Sequence, residues 1–284
     1  MSADTSANQR VPWYTHPVHR TLPTSKGPFR ADQIRSGDPY ELSNGHAIQC
    51  MTTGGRGSRA NLLGGSVLDS DPAVEEAGID TGYSPSAETL RAPDVAVGNV
   101  PNTPGWVQGA PPLAVEYADT GQDERELAAK ISELLAAGTK LVWVVHLSGP
   151  RRVEVHENGQ TLRLVRPGEE LTAPGFLQNP VPVYALYDRE AAHAVTFRNL
   201  LQRQGYRDLD EIRGEGRNEG RQEGLQEGQQ QALRESILAV LQARGLEIDG
   251  AARSALEAIT DPIALRHHLT LAATAATANE VFAD

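Results

Sequence analysis

The sequence predicts an α/β fold, a mixed sheet flanked by helices, with a helical C-terminal extension. Three observations predict it. Leu113-Ala114-Val115-Glu116-Tyr117, a helical stretch from Asp123 to Gly138, and Leu141-Val142-Trp143-Val144-Val145 follow one another as strand, helix and strand, a unit that pairs its strands in parallel. Asn44-Gly45 and Asn158-Gly159 each separate two apolar runs in the manner of a tight hairpin. After Asp188 the apolar residues take up helical spacing.

Residues 1–30 are polar, broken by Pro12, Pro17, Pro23 and Pro28, and lack an apolar period, which predicts a flexible N-terminal arm. Tyr40-Glu41-Leu42 and Ala47 to Met51 read as the strands around Asn44-Gly45. Thr53 to Gly65 is rich in glycine and arginine, with a short helix expected over Ser58 to Leu68. Residues 69–90 are acidic and read as loop. Asp94 to Val97 is a short strand, and Val100 to Pro112, with four prolines and two glycines, is a loop. In the helix that follows, Leu127, Ile131, Leu134 and Leu135 share a face, acids crowd the first turn, and Gly138 is placed to end it. Leu141 to Val145 is continuously apolar, as in a buried central strand, and Val153 to His156 pairs with Thr161 to Val165 as a hairpin.

From Gly214 a four-residue repeat runs through Glu215-Gly216, Glu219-Gly220, Glu223-Gly224 and Glu227-Gly228. Glycine weakens a helix, so two readings stand side by side: a flexible polar connector, or a helix whose glycine stripe admits another helix. Glu211, Glu215 and Glu219 alternate with Arg213, Arg217 and Arg221, which predicts exposed ion pairs. Residues 233–283 predict two or three short amphipathic helices broken at Gly245 and Pro262. The expected organisation is an arm over 1–30, an α/β domain over 31–190, a Glu-Gly connector over 191–231 and a small helical region over 232–284.

A chain of 284 residues suits one good-sized domain with an appendage. A formal net charge of −11 excludes a surface that attracts nucleic acid all over, though a metal site beside a local basic patch fits within it. The single cysteine, Cys50, excludes an intrachain disulfide and suits a reducing compartment. No apolar run reaches the length of a membrane helix, and the N-terminus lacks the apolar core of a secretory signal. A cytoplasmic protein is expected.

Asp94 and Glu116 each sit on a short strand that can hold a carboxylate at a shared edge. Two carboxylates so placed call for a cation, and hard oxygen ligands suit Mg2+. Lys130 lies at the boundary of its helix's apolar face, where its ammonium can reach back toward the preceding strand and steady a phosphate. As residues alone, Glu116 and Lys130 fit a plain ion pair across the strand–helix junction better than a catalytic pair, and Asp94 after Pro93 also fits a turn cap. Gly54, Gly55 and Gly57 lack the lysine and hydroxyl of a P-loop, while Arg56 and Arg59 beside them are candidates for contact with a nucleic-acid backbone.

Ala92-Pro93-Asp94-Val95, Pro112 to Tyr117, Glu126-Leu127-Ala128-Ala129-Lys130, Gly138 and Leu141 to Val145 together resemble the Uma2 (DUF820) family of restriction-endonuclease-like proteins, of the PD-(D/E)XK superfamily. Tyr40-Glu41-Leu42, one residue before Asn44-Gly45, resembles that family's opening motif, so the likeness spans residues 32–188. It implies a restriction-endonuclease-like sheet and hydrolysis of DNA phosphodiester bonds. It further implies that Asp94 and Glu116 bind Mg2+, with Mn2+ as a substitute, and that Lys130 is the catalytic lysine, moved onto the helix because Ala118 fills the usual strand position. Glu41 would add a further carboxylate. Such nucleases commonly act as homodimers, for which the helical tail offers a contact, and similar Glu-Gly repeats in other prokaryotic nuclease-like proteins imply a docking tail. The competing expectation is an inactive nuclease-fold scaffold that binds nucleic acid or a protein partner and assembles through that tail. Its supports are the acidic charge and Arg56, Ser58 and Arg59 standing where the family commonly has a histidine.

Overall fold

The computed structural model describes residues 27–50, 52–121 and 123–282. The expected N-terminal arm lies outside them up to residue 26. The chain divides into two compact units, with the boundary between Gly205 and Tyr206.

The first unit is built on strands β1 (Tyr40–Ser43), β2 (His46–Gln49), β3 (Ala77–Ile79), β4 (Tyr83–Ser86), β5 (Thr89–Arg91), β6 (Val95–Val97), β7 (Leu113–Ala118), β8 (Leu141–His146), β9 (Arg152–Glu157), β10 (Arg163–Val165), β11 (Glu170–Leu171) and β12 (Val181–Pro182), with helices α1 (Gly55–Asp69), α2 (Glu124–Ala137) and α3 (Arg189–Arg203). The main sheet has the order β10-β9-β8-β7-β6-β3, and a smaller one the order β2-β1-β5-β4. In the main sheet only β7 and β8 run parallel, in register from Leu113 opposite Leu141 to Ala118 opposite His146. The fold is therefore α/β with a mixed sheet flanked by helices.

The crossover between β7 and β8 is α2, and its ends follow from local chemistry. The Asp123 side chain accepts the amide N–H groups of Arg125 and Glu126, two donors that the helix itself leaves unpaired. Gly138 closes the helix at φ 115°, a conformation that costs other residues a Cβ clash. Leu127, Ile131 and Leu134 pack on Ala114, Ala118, Val142 and Val144. The opposite face of the sheet, with Val95, Leu113, Val115, Tyr117, Trp143 and Val145, packs on Ala60, Leu63, Val67 and Leu68 of α1 and on Ala192 and Val195 of α3. Because strand side chains alternate, Glu116 falls on the α2 face, between Val115 and Tyr117 on the α1 face.

Helix α1 is longer than expected, beginning at Gly55. It lies close against β7 because Gly64 has no side chain: a Cβ there would collide with the hydroxyl of Tyr117, which donates to Leu186 O at 3.0 Å. Helix α3 is joined to α1 by polar contacts as well as apolar ones. Asn199 donates to Val67 O and Ser70 Oγ, and the Arg203 guanidinium donates to the carbonyls of Asp69, Ser70 and Asp71 at the C-terminus of α1, where a cation meets the negative end of the helix dipole. Residues 189–203 thus belong to the first unit, and not to the connector expected from 191.

Residues 69–90, expected as loop, contain β3, β4 and the first two residues of β5. Strands of three or four residues are too short to display an alternation. Their order comes from pairing with β6 and β1 and from burial of Tyr83 and Leu90.

The second unit comprises α4 (Leu209–Ala243), α5 (Gly250–Ala258), α6 (Pro262–Thr274) and α7 (Ala278–Val281). Its core is Ile237, Leu241, Leu256, Leu265, Ala272, Ala278 and Val281. The Glu-Gly repeat lies inside the 35-residue α4, so it is helical, and a Cβ at Gly216, Gly220, Gly224 or Gly228 would meet nothing within 4 Å. The expected Glu–Arg pairs do not form: among the described residues the ion pair within α4 is Arg213 with Asp210, three residues apart. Residues two apart on a helix are rotated by about 200° and face away from each other. Glutamates and arginines therefore occupy separate like-charged stripes.

Candidate active site

Four charged side chains singled out from the sequence, Glu41, Asp94, Glu116 and Lys130, line one cleft of about 410 Å3 in the first unit. Asp94 sits one residue before β6. It does not serve as a local turn cap. Its Oδ2 accepts the backbone N–H of Tyr117 at 2.6 Å and its Oδ1 accepts Asn61 Nδ2 at 3.1 Å, so its carboxylate is tied to the peptide immediately after Glu116. Lys130, on the face of α2 toward the sheet, places Nζ 2.9 Å from Glu116 Oε1 and 3.1 Å from Glu41 Oε1, and donates to Ala92 O at 2.7 Å. Its second hydrogen bond goes to Glu116 Oε2 at 3.1 Å, and Glu41 faces it as an ion pair.

Glu41, expected as a further carboxylate of the catalytic set, is engaged on both oxygens. Oε1 faces Lys130, and Oε2 accepts Arg91 Nη1 at 3.1 Å. Arg91, 2% exposed, also donates Nε to Glu133 Oε2 at 2.6 Å, whose other oxygen accepts Ser43 Oγ. Glu41 is therefore a counter-ion that fixes Lys130, held in turn by Arg91 and Glu133.

Four carboxyl groups (Glu41, Asp94, Glu116, Glu133) meet two cations (Arg91, Lys130) here, an excess of two negative charges when all are ionised and of one while Glu116 holds its proton. Burial pushes the Glu116 carboxyl up to about 8, with the Asp94 and Glu41 charges adding to the rise and Lys130 opposing it. Burial works against the charge on Lys130, but the carboxylates of Glu116, Glu41 and Asp94 outweigh it and raise its pKa, so the ammonium stays protonated. Asp80, at φ 53° in the turn after β3, is likewise raised, by burial first and by Asp94 second.

At the mouth of the cleft Arg56 is taken up by Asp119, with Nε donating to Oδ2 at 2.8 Å and a second contact to Oδ1. The Arg56 hydrogen bond holds Asp119 below the usual carboxylate range. Arg59, also on α1, is exposed.

The residues fit a hard divalent cation. The available donors are carboxylate oxygens of Asp94 and Glu116, with the buried, unpartnered Oδ1 of Asn61 among the polar atoms of the same cleft, and the excess charge has the right sign. Among the described residues no group of three His, Cys, Asp or Glu side chains forms a metal cage, so water would complete the shell, as is usual for Mg2+.

Asn61, Arg91, Glu133 and Asp80 were not singled out from the sequence. Asn61 carried a signal: it is a polar residue in the buried stripe of Gly57, Ala60, Gly64 and Leu68. Arg91 and Asp80 lay in or beside a stretch read as loop, and nothing local marked Glu133 on the side of α2.

Residues 29–181 match the model of the Uma2 family, described as "Putative restriction endonuclease". No curated protein matches the chain. Among solved structures the chain is similar to a protein from Anabaena variabilis ATCC 29413 described as a "putative nuclease belonging to DUF820", with 18% identity, 58% of this chain and 99% of that chain covered, and a TM-score of 0.49.

Proposed function

The chain belongs to the Uma2 family, and from that membership we propose that its first unit is a divalent-metal-dependent endonuclease hydrolysing DNA phosphodiester bonds. The observation that carries the reading is the meeting of Lys130 with Glu116 at 2.9 Å, beside an Asp94 tied to the adjoining peptide, in one open cleft.

Asp94 and Glu116 would hold the cation, Mg2+ with Mn2+ as a substitute. When bound, such an ion activates a coordinated water and offsets charge on the phosphodiester. Glu116 must release its proton to act as a ligand, so binding couples to proton release. Lys130, kept charged by three carboxylates, is a poor general base; its role is to donate hydrogen bonds to the attacking water and to the non-bridging oxygens as their charge grows. Glu41 and Arg91 hold that ammonium in place. Arg56 can exchange Asp119 for a backbone phosphate, which adds local positive charge in an acidic protein, and Arg59 is exposed on the same helix. A homodimer would allow both strands to be cut, and exposed Leu225 and Ile263 in the second unit support association there. Sedimentation of the full chain tests that part.

Incubation of the purified protein with supercoiled plasmid and Mg2+ or Mn2+ tests the central reading. Nicking is expected, with Glu116→Gln and Lys130→Ala each slowing it at least about 100-fold. Intact plasmid, linear duplex and single-stranded DNA after incubation with either metal would overturn it.

A further inference from the structure

Asn61 lies on α1 and is 7% exposed, yet it lines the cleft that holds Asp94, Glu116 and Lys130. Its two amide atoms are in different situations. Nδ2 donates to Asp94 Oδ1 at 3.1 Å, whereas Oδ1 is buried without a partner. The orientation follows from chemistry: an ionised carboxylate only accepts, so the NH2 end must face Asp94 and the carbonyl end must be the free one. A buried acceptor with no donor calls for a water, an ion or a ligand.

We propose that Asn61 is a positioning residue of the cation centre, its NH2 group fixing Asp94 and its carbonyl accepting a hydrogen bond from a water carried by the divalent ion. The inference rests on the metal-dependent reading above and adds to it a contact outside the carboxylate pair. With the Tyr117 amide on Oδ2 at 2.6 Å and Asn61 on Oδ1, both oxygens of Asp94 are held and the plane of its carboxylate is set before any ion arrives. Groups that orient metal ligands in this way commonly govern affinity. The demand for such a group is visible in the donor set, since no third acidic or histidine side chain completes a cage among the described residues. Helix α1 is well placed to supply it. Gly64, one turn beyond Asn61, leaves room for the Tyr117 side chain, and Tyr117 is itself the residue whose amide holds Asp94. A neutral amide is the side chain the place needs. A carboxylate at 61 would repel Asp94 and lose the donor, and an aliphatic residue would leave both Asp94 and the bound water short of a partner.

Calorimetric titration of the full-length protein with Mn2+, without DNA, tests this independently of cleavage. Asn61→Leu, of similar volume, is expected to weaken Mn2+ binding by about 10–100-fold while the melting temperature of the metal-free protein holds or rises. A purely structural role would move the melting temperature and leave the affinity of the folded fraction alone, which would overturn the inference. Should Asn61→Leu not fold, Asn61→Ser, smaller than the native residue, carries the test, and wild-type affinity in it would likewise overturn the inference. If the wild-type protein itself binds no Mn2+, the metal-dependent reading fails and this inference with it. If the wild type binds and Asn61→Leu binds equally, only the inference fails.

Discussion

The cleft of the first unit and the long helix of the second are built from the same charged side chains under opposite conditions. In the cleft, Arg91 is 2% and Glu116 6% exposed, and Glu41, Arg91, Asp94, Glu116 and Lys130 are each held by partners on other elements. Along the Glu-Gly repeat of α4 the glutamates and arginines stand in water, and the ion pair within that helix, Arg213 with Asp210, is exposed on both sides. Glutamate and arginine carry no chemistry of their own by virtue of type. Solvent makes the difference: the sheet, α1 and α2 strip water from Glu116 and Lys130, which raises the energy of an uncompensated charge and makes a cation welcome. Exposed pairs are screened and contribute little.

Removing Arg91 is the strongest test of that contrast. Arg91→Ala leaves Glu133 without its cation and Glu41 with Lys130 alone, and an equilibrium urea titration should show a loss of about 3–5 kcal/mol. Arg213→Ala in α4 should change stability by less than about 0.5 kcal/mol. Equal effects would dissolve the distinction between the two regions.

The pH dependence of stability follows next. The folded-state pKa of Glu116 lies above its ordinary value of 4.5, at about 8, so the folded protein holds a proton that the unfolded chain has released. That contribution is fully present below 4.5 and is lost as pH rises through about 8. Metal-free protein should therefore melt at lower temperature as pH rises from about 5 to about 8. Glu116→Gln should flatten that slope, and an unchanged slope would show that Glu116 is not the group responsible. Added Mn2+ should stabilise the wild type more at about pH 8 than at about pH 6, because the ion no longer competes with the proton.

A smaller effect sharpens the reading of α4. Alanine at Gly216, Gly220, Gly224 or Gly228 meets no neighbour, so each should raise helix stability by about 0.5–1 kcal/mol, seen as helical ellipticity retained to higher temperature. Plasmid nicking should be unchanged. If the quadruple variant instead lowers the sedimentation coefficient of the full chain, the glycine stripe is a docking face, which settles the choice between spacer and assembly element.

Much of the main sheet was legible because its causes are local. The apolar run from Leu113 to Tyr117, the acids in the first turn of α2, its apolar face and the Gly138 stop lie within short windows, and they were enough to face Lys130 toward the strand bearing Glu116. The lack of Glu–Arg pairs in the Glu-Gly repeat has an equally local cause, since spacing two on a helix separates side chains instead of pairing them. Residues 69–90 were illegible for a different reason. Strands this short take their hydrogen bonds from partners elsewhere, as Ile79 does opposite Val95 and Leu42 opposite Leu90.

Sequence alone was sufficient for the α/β class, the strand–helix–strand that carries Glu116 and Lys130, and the family likeness that joined Asp94 to them. The rest of the site depended on the folded chain. Glu41 reaches Lys130 from a strand far earlier in the chain, Arg91 reaches Glu133 across 42 positions, and Asn61 reaches Asp94 across 33. None of these partners is encoded by spacing, because which side chain meets which is set by strand order and by how closely α1 lies on the sheet. That approach is set by a missing Cβ at Gly64, a steric fact that acquires meaning only once Tyr117 is opposite it.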